Sequence, residues 1–149
     1  MRPFLFSVSF LLILACNSGR QNPADHNTSV FSYYLRTAFG DSIPSEKHTY
    51  ILIPAIGCKG CREEALIVLH QEIIRSGNKN ITYIFSPLVH LTDSLINPCA
   101  YKTDSSGLID RINLPVSNIA ILKTNNGKLV SLVSVRSETT DSIGSFLRK

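Results

Sequence analysis

Thr49-Tyr50-Ile51-Leu52-Ile53-Pro54-Ala55-Ile56-Gly57-Cys58-Lys59-Gly60-Cys61-Arg62-Glu63-Glu64-Ala65-Leu66 is the stretch on which the reading of the whole chain turns. From Thr49 to Pro54 it is β-branched and aromatic without polar alternation, which predicts a strand buried on both faces of a partly parallel sheet. From Arg62 to Arg75, Leu66, Leu69 and Ile73 recur at helical spacing, with Glu63 and Glu64 expected in the first turn. Arg75 and Gly77 stand where a helix ends. Cys58 and Cys61 therefore fall between a strand and a helix start. Unpaired backbone N–H groups there favour an anion, and the thiolate is the reactive form of cysteine. Lys59 adds a mobile positive charge, expected to lower the Cys58 pKa further, and Gly60 lets the backbone turn into the helix. Cys58 is the candidate attacking thiol and Cys61 the candidate resolving thiol.

Working outward, Asn78 to Asn80 reads as a turn and Ile81 to Phe85 as a second strand, which closes a βαβ unit. Ser86 to Asp104, with Pro87 and Pro98, reads as an irregular connection with at most a short helix around Leu91 to Leu95, and Ser105 to Ile112 as a further helical turn. Asn118 to Leu122 and Lys128 to Val135 flank Thr124-Asn125-Asn126-Gly127, residues that tolerate the positive φ of a tight antiparallel hairpin. Ser137 to Lys149 places Ile143, Phe146 and Leu147 on one helical face after polar capping residues. Upstream, Val30 to Phe39 carries Phe31, Tyr33, Tyr34, Leu35 and Phe39, a cluster that fits a short helix or an edge strand equally.

A chain of 149 residues, 44% hydrophobic and 17% charged, has apolar surface for one folded core and argues against a mainly disordered protein. The net charge of +4 is spread from Arg20 to Lys149 with no run longer than Arg148-Lys149, so no nucleic-acid partner is expected. The N-terminus is different. Arg2 precedes a nearly unbroken apolar run from Phe4 to Leu14, then Ala15 and Cys16. That run is far short of the roughly 20 residues a membrane-spanning helix needs, and it reads as a secretory signal. With Cys16 next, the segment resembles the lipobox of bacterial lipoproteins, in which a signal peptidase cuts before the cysteine and the thiol carries a diacylglycerol. Ala15 fits that pattern, while Leu14 and Ile13 are less usual in it. The resemblance implies a signal peptide over residues 1–15 and a lipid-anchored flexible linker over 16–29, attached at Cys16 with acyl chains such as palmitate. The folded domain would span 30–149. The implied location is a membrane of the bacterial cell envelope, where cysteine pairs exist as disulfides or exchange partners.

From about Thr49 to Leu147 the order of elements resembles the thioredoxin-like superfamily, in particular the membrane-tethered thiol-disulfide oxidoreductases and thioredoxin-like lipoproteins of bacteria. The resemblance implies an α/β fold with a central mixed sheet flanked by helices, and thiol-disulfide exchange through Cys58 and Cys61. It further implies protein disulfide or dithiol substrates, an envelope electron donor or acceptor, and no cofactor. Two positions depart from the pattern. Family members commonly carry an aromatic residue just before the first cysteine, where this chain has Ala55-Ile56-Gly57. They also place a cis-proline at the start of the first hairpin strand. Alignment on Gly127 puts that position near Ser117 or Asn118, and Pro115 is the auxiliary candidate if the strand is a few residues longer.

Other chemistries compete for the same residues. Strand, Cys-x-x-Cys and helix also describe the soft-metal domains of copper chaperones, although the length here and the hairpin before the last helix fit thioredoxin better. A structural zinc site would need Cys99, His48, His70 and His90, which show no ligand spacing. A c-type haem needs His after the second cysteine, where Arg62 stands. Peroxide attack by Cys58 lacks the threonine and proline arrangement expected before it. A binding or scaffold lipoprotein that keeps the fold without exchange is the remaining alternative. Cys99 reads either as a buried small apolar residue or as a third redox thiol. His70 shares the Cys61 helix and is the histidine to check against the sulfurs.

Overall fold

The computed structural model describes residues 23–90, 99–135 and 143–148. Helix α1 (Pro23–Phe39) leads into β1 (His48–Ile53), α2 (Lys59–Ser76) and β2 (Ile81–Phe85). A short edge strand β3 (Ala100–Thr103), a 3-10 turn (Leu108–Asp110), the hairpin β4 (Ile119–Asn125) and β5 (Lys128–Val135), and α3 (Ile143–Arg148) follow. The strands form one mixed sheet in the order β3-β2-β1-β4-β5. β1, β2 and β3 run parallel, and β4 is antiparallel to both β1 and β5.

Alternation along β1 shows why its sequence is continuously apolar. Ile51 and Ile53 face a layer with Leu66, Leu69 and Ile73 of α2 and Ile143 and Leu147 of α3. Tyr50 and Leu52 face the opposite layer, against Phe31, Tyr34 and Leu35 of α1. Successive strand side chains point to opposite faces, and both faces of this sheet are covered. The Phe31 and Tyr50 rings meet edge to face, 5.1 Å between centroids.

The hairpin closes on Asn126 and Gly127, at φ 51° and 71°, between the paired Asn125 and Lys128. Positive φ at both central positions matches the twist of the flanking strands. The tip is pinned by N–H donation from Asn126 to Ser45 O and from Gly127 to Pro44 O, at 2.8 and 3.1 Å.

Four local expectations change. The cluster from Val30 to Phe39 is helical, and the helix starts at Pro23, inside the segment read as a flexible spacer to residue 29. Proline is preset for a first helical turn, and Phe31, Tyr34 and Leu35 bury the following turns. Helix α2 starts at Lys59 rather than Arg62, which places Cys61 inside it and leaves its first turn without the acidic pair. β3 lies in the connection read as irregular. It is mostly exposed and therefore sends no hydrophobic signal; Lys102 stands over the Phe39 ring at 5.2 Å and pairs with Asp41. The expected turn within Ser105 to Ile112 is only the three-residue 3-10 turn. The N-terminal signal with Cys16, the short helix around Leu91 to Leu95, and the start of the terminal helix lie outside the described residues.

Candidate functional site

β1 ends at Ile53, whose carbonyl accepts from the Ser86 N–H at 3.0 Å. The next residues are held from two sides. The Ala55 N–H donates to Asp110 Oδ1 at 2.6 Å, and Arg62 Nη1 donates to the carbonyls of Pro54 and Ala55 at 3.0 and 3.3 Å. Asp110 also accepts from Ser86 Oγ at 2.6 Å. Gly57 then turns the chain at φ +104°, a conformation that side chains with a Cβ rarely adopt.

Cys58 caps helix α2. Its φ and ψ of −76° and 122° are extended, and its sulfur accepts from the Cys61 N–H at 3.4 Å. The Arg62 N–H donates to the Cys58 carbonyl at 3.1 Å, which opens the helical ladder. The Cys58 N–H points the other way, to Asn118 Oδ1 at 3.0 Å. Cys58 is exposed and Cys61 half-buried, and both are free thiols.

These contacts push the two acidities apart. Hydrogen bonding from the Cys61 side chain lowers the Cys58 thiol first, joined by the backbone N–H groups of Cys61 and Gly60 and the Arg62 charge. The same contact raises Cys61, with burial and the charge on Cys58 acting in the same direction. One exposed thiol is thus favoured as the anion while its neighbour keeps its proton.

The cation near the pair is not the one the sequence suggested. Lys59 turns to solvent at 80% side-chain exposure and lies 3.9 Å from Glu63, whereas Arg62 is buried on the loop side of the helix. Pro115 lines a surface groove with Pro23, Ala24, Asn27 and Leu132, and the residue set against the cysteine loop at the start of β4 is Asn118. Cys99 lines a cavity with Ile73 and Ile74 at the far end of α2, where Ile73 lies about 18 Å along the axis from Cys61 at 1.5 Å per residue. Burial raises its thiol pKa. His70 lies three residues before Ile73 on that helix, about 14 Å along the axis from Cys61. Among the described residues, no group of three or more His, Cys, Asp or Glu is arranged to hold a metal ion. Sequence reasoning missed Arg62, Asp110 and the contact made by Asn118, because each acts through a hydrogen bond to backbone rather than through a motif.

No family model matches the chain, and neither does any curated protein. Among solved structures, a secreted disulfide oxidoreductase of Mycobacterium tuberculosis, homologous to DsbE of Escherichia coli, superposes with a TM-score of 0.48 at 12% identity. The match covers 69% of this chain and 81% of that one. A candidate thioredoxin from Neisseria meningitidis superposes with a TM-score of 0.41 at 12% identity, over 72% of this chain and 78% of its own. In this chain a parallel βαβ unit is followed by an antiparallel hairpin on the same sheet, with the cysteine pair at the start of the βαβ helix. The fold is α/β, a mixed five-stranded sheet with helices on both faces. Among the described residues, no helix is long and apolar enough to cross a membrane.

Proposed function

We propose that this protein exchanges dithiols for disulfides on protein substrates through Cys58 and Cys61. The observation that carries the reading is the asymmetry of the pair: an exposed helix-capping thiol with a lowered pKa, hydrogen-bonded to a half-buried thiol whose own pKa is raised. The Cys58 thiolate attacks one sulfur of a substrate disulfide. A Cys58–substrate S–S bond forms, the substrate S–S bond breaks, and the departing sulfur takes a proton from water. Cys61 then gives up its proton and attacks Cys58 Sγ. The Cys58–Cys61 disulfide forms, the mixed disulfide breaks, and the second substrate thiol leaves. The substrate gains two electrons and the pair loses them; run backwards, the same steps oxidise a dithiol. A thiol-class donor or acceptor resets the pair.

The cellular setting belongs to the same proposal. The apolar run before Ala15-Cys16 supports secretion and lipid attachment at Cys16, which would hold the domain at a membrane of the cell envelope with its partners. The secreted Mycobacterium tuberculosis oxidoreductase is consistent with such a location.

The test is a redox titration of the full-length protein in glutathione buffers, with alkylation and mass spectrometry assigning each thiol. One reversible two-electron step confined to Cys58 and Cys61 is expected. Cys58→Ser should abolish turnover of a protein disulfide, and Cys61→Ser should accumulate the mixed disulfide. A pair that never cycles, or turnover that survives Cys58→Ser, overturns the reading. Mass spectrometry of the membrane fraction tests the anchor, since an unlipidated Cys16 there would refute it.

A further inference from the structure

We propose that Asn118 is a positioning residue for Cys58: its side-chain carbonyl fixes the main chain of the attacking cysteine, in a slot that Gly57 keeps open. The proposal deepens the exchange reading and rests on it for the role of Cys58.

Two independent observations meet at this side chain. Asn118 Oδ1 accepts the Cys58 N–H at 3.0 Å, across 60 positions of sequence. A Cβ added to Gly57 would fall 1.8 Å from that same oxygen, 2.9 Å from its carbon, and 3.1 Å from the Ser117 carbonyl. Gly57 is therefore required twice, once for its φ of +104° and once for the space the carboxamide occupies.

The other end of the contact is rigid. Asn118 directly precedes Ile119, which is fully buried and pairs with Val135. Ser117 before it donates its N–H to Ser134 Oγ at 3.3 Å, and the two hydroxyls lie 2.8 Å apart. A loop containing a glycine is thus tied to a two-stranded base. Holding the Cys58 N–H limits rotation about φ of that residue, which keeps Sγ over the Cys61 N–H 3.4 Å away. The acceptor is a neutral amide, so it accepts the bond without placing a negative charge beside the thiolate. A carboxylate could make the same bond but would oppose the anion.

The test reads the pH profile of Cys58 alkylation in the full-length protein, resolved from Cys61 by mass spectrometry, with circular dichroism and a melting curve run on each variant. Asn118→Ala should move the profile to higher pH and slow alkylation on its acid limb about threefold to tenfold, the worth of one hydrogen bond. Asn118→Asp keeps the acceptor and adds charge, and should also move the profile upward. Gly57→Ala, which also strains the backbone at φ +104°, should move the profile at least as far as Asn118→Ala, and adding Asn118→Ala to it should change little more, because both break the same contact. An Asn118→Ala protein with native melting and an unmoved profile overturns the proposal. So do single effects that add in the double variant. Alkylation needs no partner protein. If disulfide turnover is absent but Asn118→Ala still moves the profile, the functional reading fails and the positioning role stands.

Discussion

Arg62 is the buried cation beside the cysteine pair, and its 8% exposure makes it unusual for a charged side chain. Its guanidinium is spent on two carbonyls at the end of β1, those of Pro54 and Ala55. Its charge adds to the hydrogen bonds from Cys61 and Gly60 in lowering the nearby Cys58 thiol, as the smallest of these causes. Arg62→Met should therefore do two things. It strands carbonyl acceptors and destabilises the fold by about 1–3 kcal/mol. It also moves Cys58 alkylation to higher pH, whereas Lys59→Met, which removes a charge already in solvent, should move the alkylation profile much less. Equilibrium urea unfolding and the alkylation profile separate these effects. None of this was visible from residue type alone, since Lys59 lies between the cysteines in sequence and Arg62 lies outside them. Only the helix start at Lys59, three residues earlier than the apolar periodicity indicates, turns Arg62 inward.

At the scale of elements, β1 and the hairpin were legible because their signals are local. Five consecutive buried residues follow His48 in β1, and no polar alternation is possible where both faces are covered. The turn chemistry of Asn126-Gly127 named its own geometry. Gly127→Val should cost about 1–2 kcal/mol, because a β-branched residue must take a left-handed conformation, and a thermal melt will show it. β3 was not legible, since a short, exposed strand is specified by its neighbour β2 rather than by its own residues. The first turns of α1 were missed for a related reason. A polar helix N-terminus and a polar spacer have the same composition, and what separates them is the apolar face that follows. The site divides the same way: Cys58 and Cys61 came from a motif, while Asn118 reaches Cys58, and Asp110 reaches Ala55 before it, from more than fifty positions away.

For the molecule as a whole, buried titratable groups set the pH range of stability. Burial lowers the His48 pKa below 6.5, with the Glu46 charge opposing, so the unfolded chain takes up that proton more readily than the folded one. Stability from this source is complete above pH 6.5 and is lost as pH falls through the lower folded value. His48→Gln should flatten that limb of the curve in urea titrations between pH 7 and pH 5. Tyrosines act at the other end. Burial pushes Tyr50 up to about 12 and raises Tyr34 and Tyr83 further. Their contribution is intact below 10, the unfolded value, and disappears as pH rises toward 12 and beyond, so alkaline unfolding should coincide with tyrosinate absorbance. The contact between Thr28 Oγ1 and the Leu129 N–H, 3.2 Å long and spanning 101 positions, has a different kind of consequence. Leu129 belongs to β5, the last strand of the sheet, so α1 shields part of a border that would otherwise recruit another chain. A fragment trimmed to begin at residue 30 keeps Phe31, Tyr34 and Leu35 yet unmasks that border. It should scatter light and elute as oligomers at concentrations where a fragment beginning at Pro23 stays monodisperse.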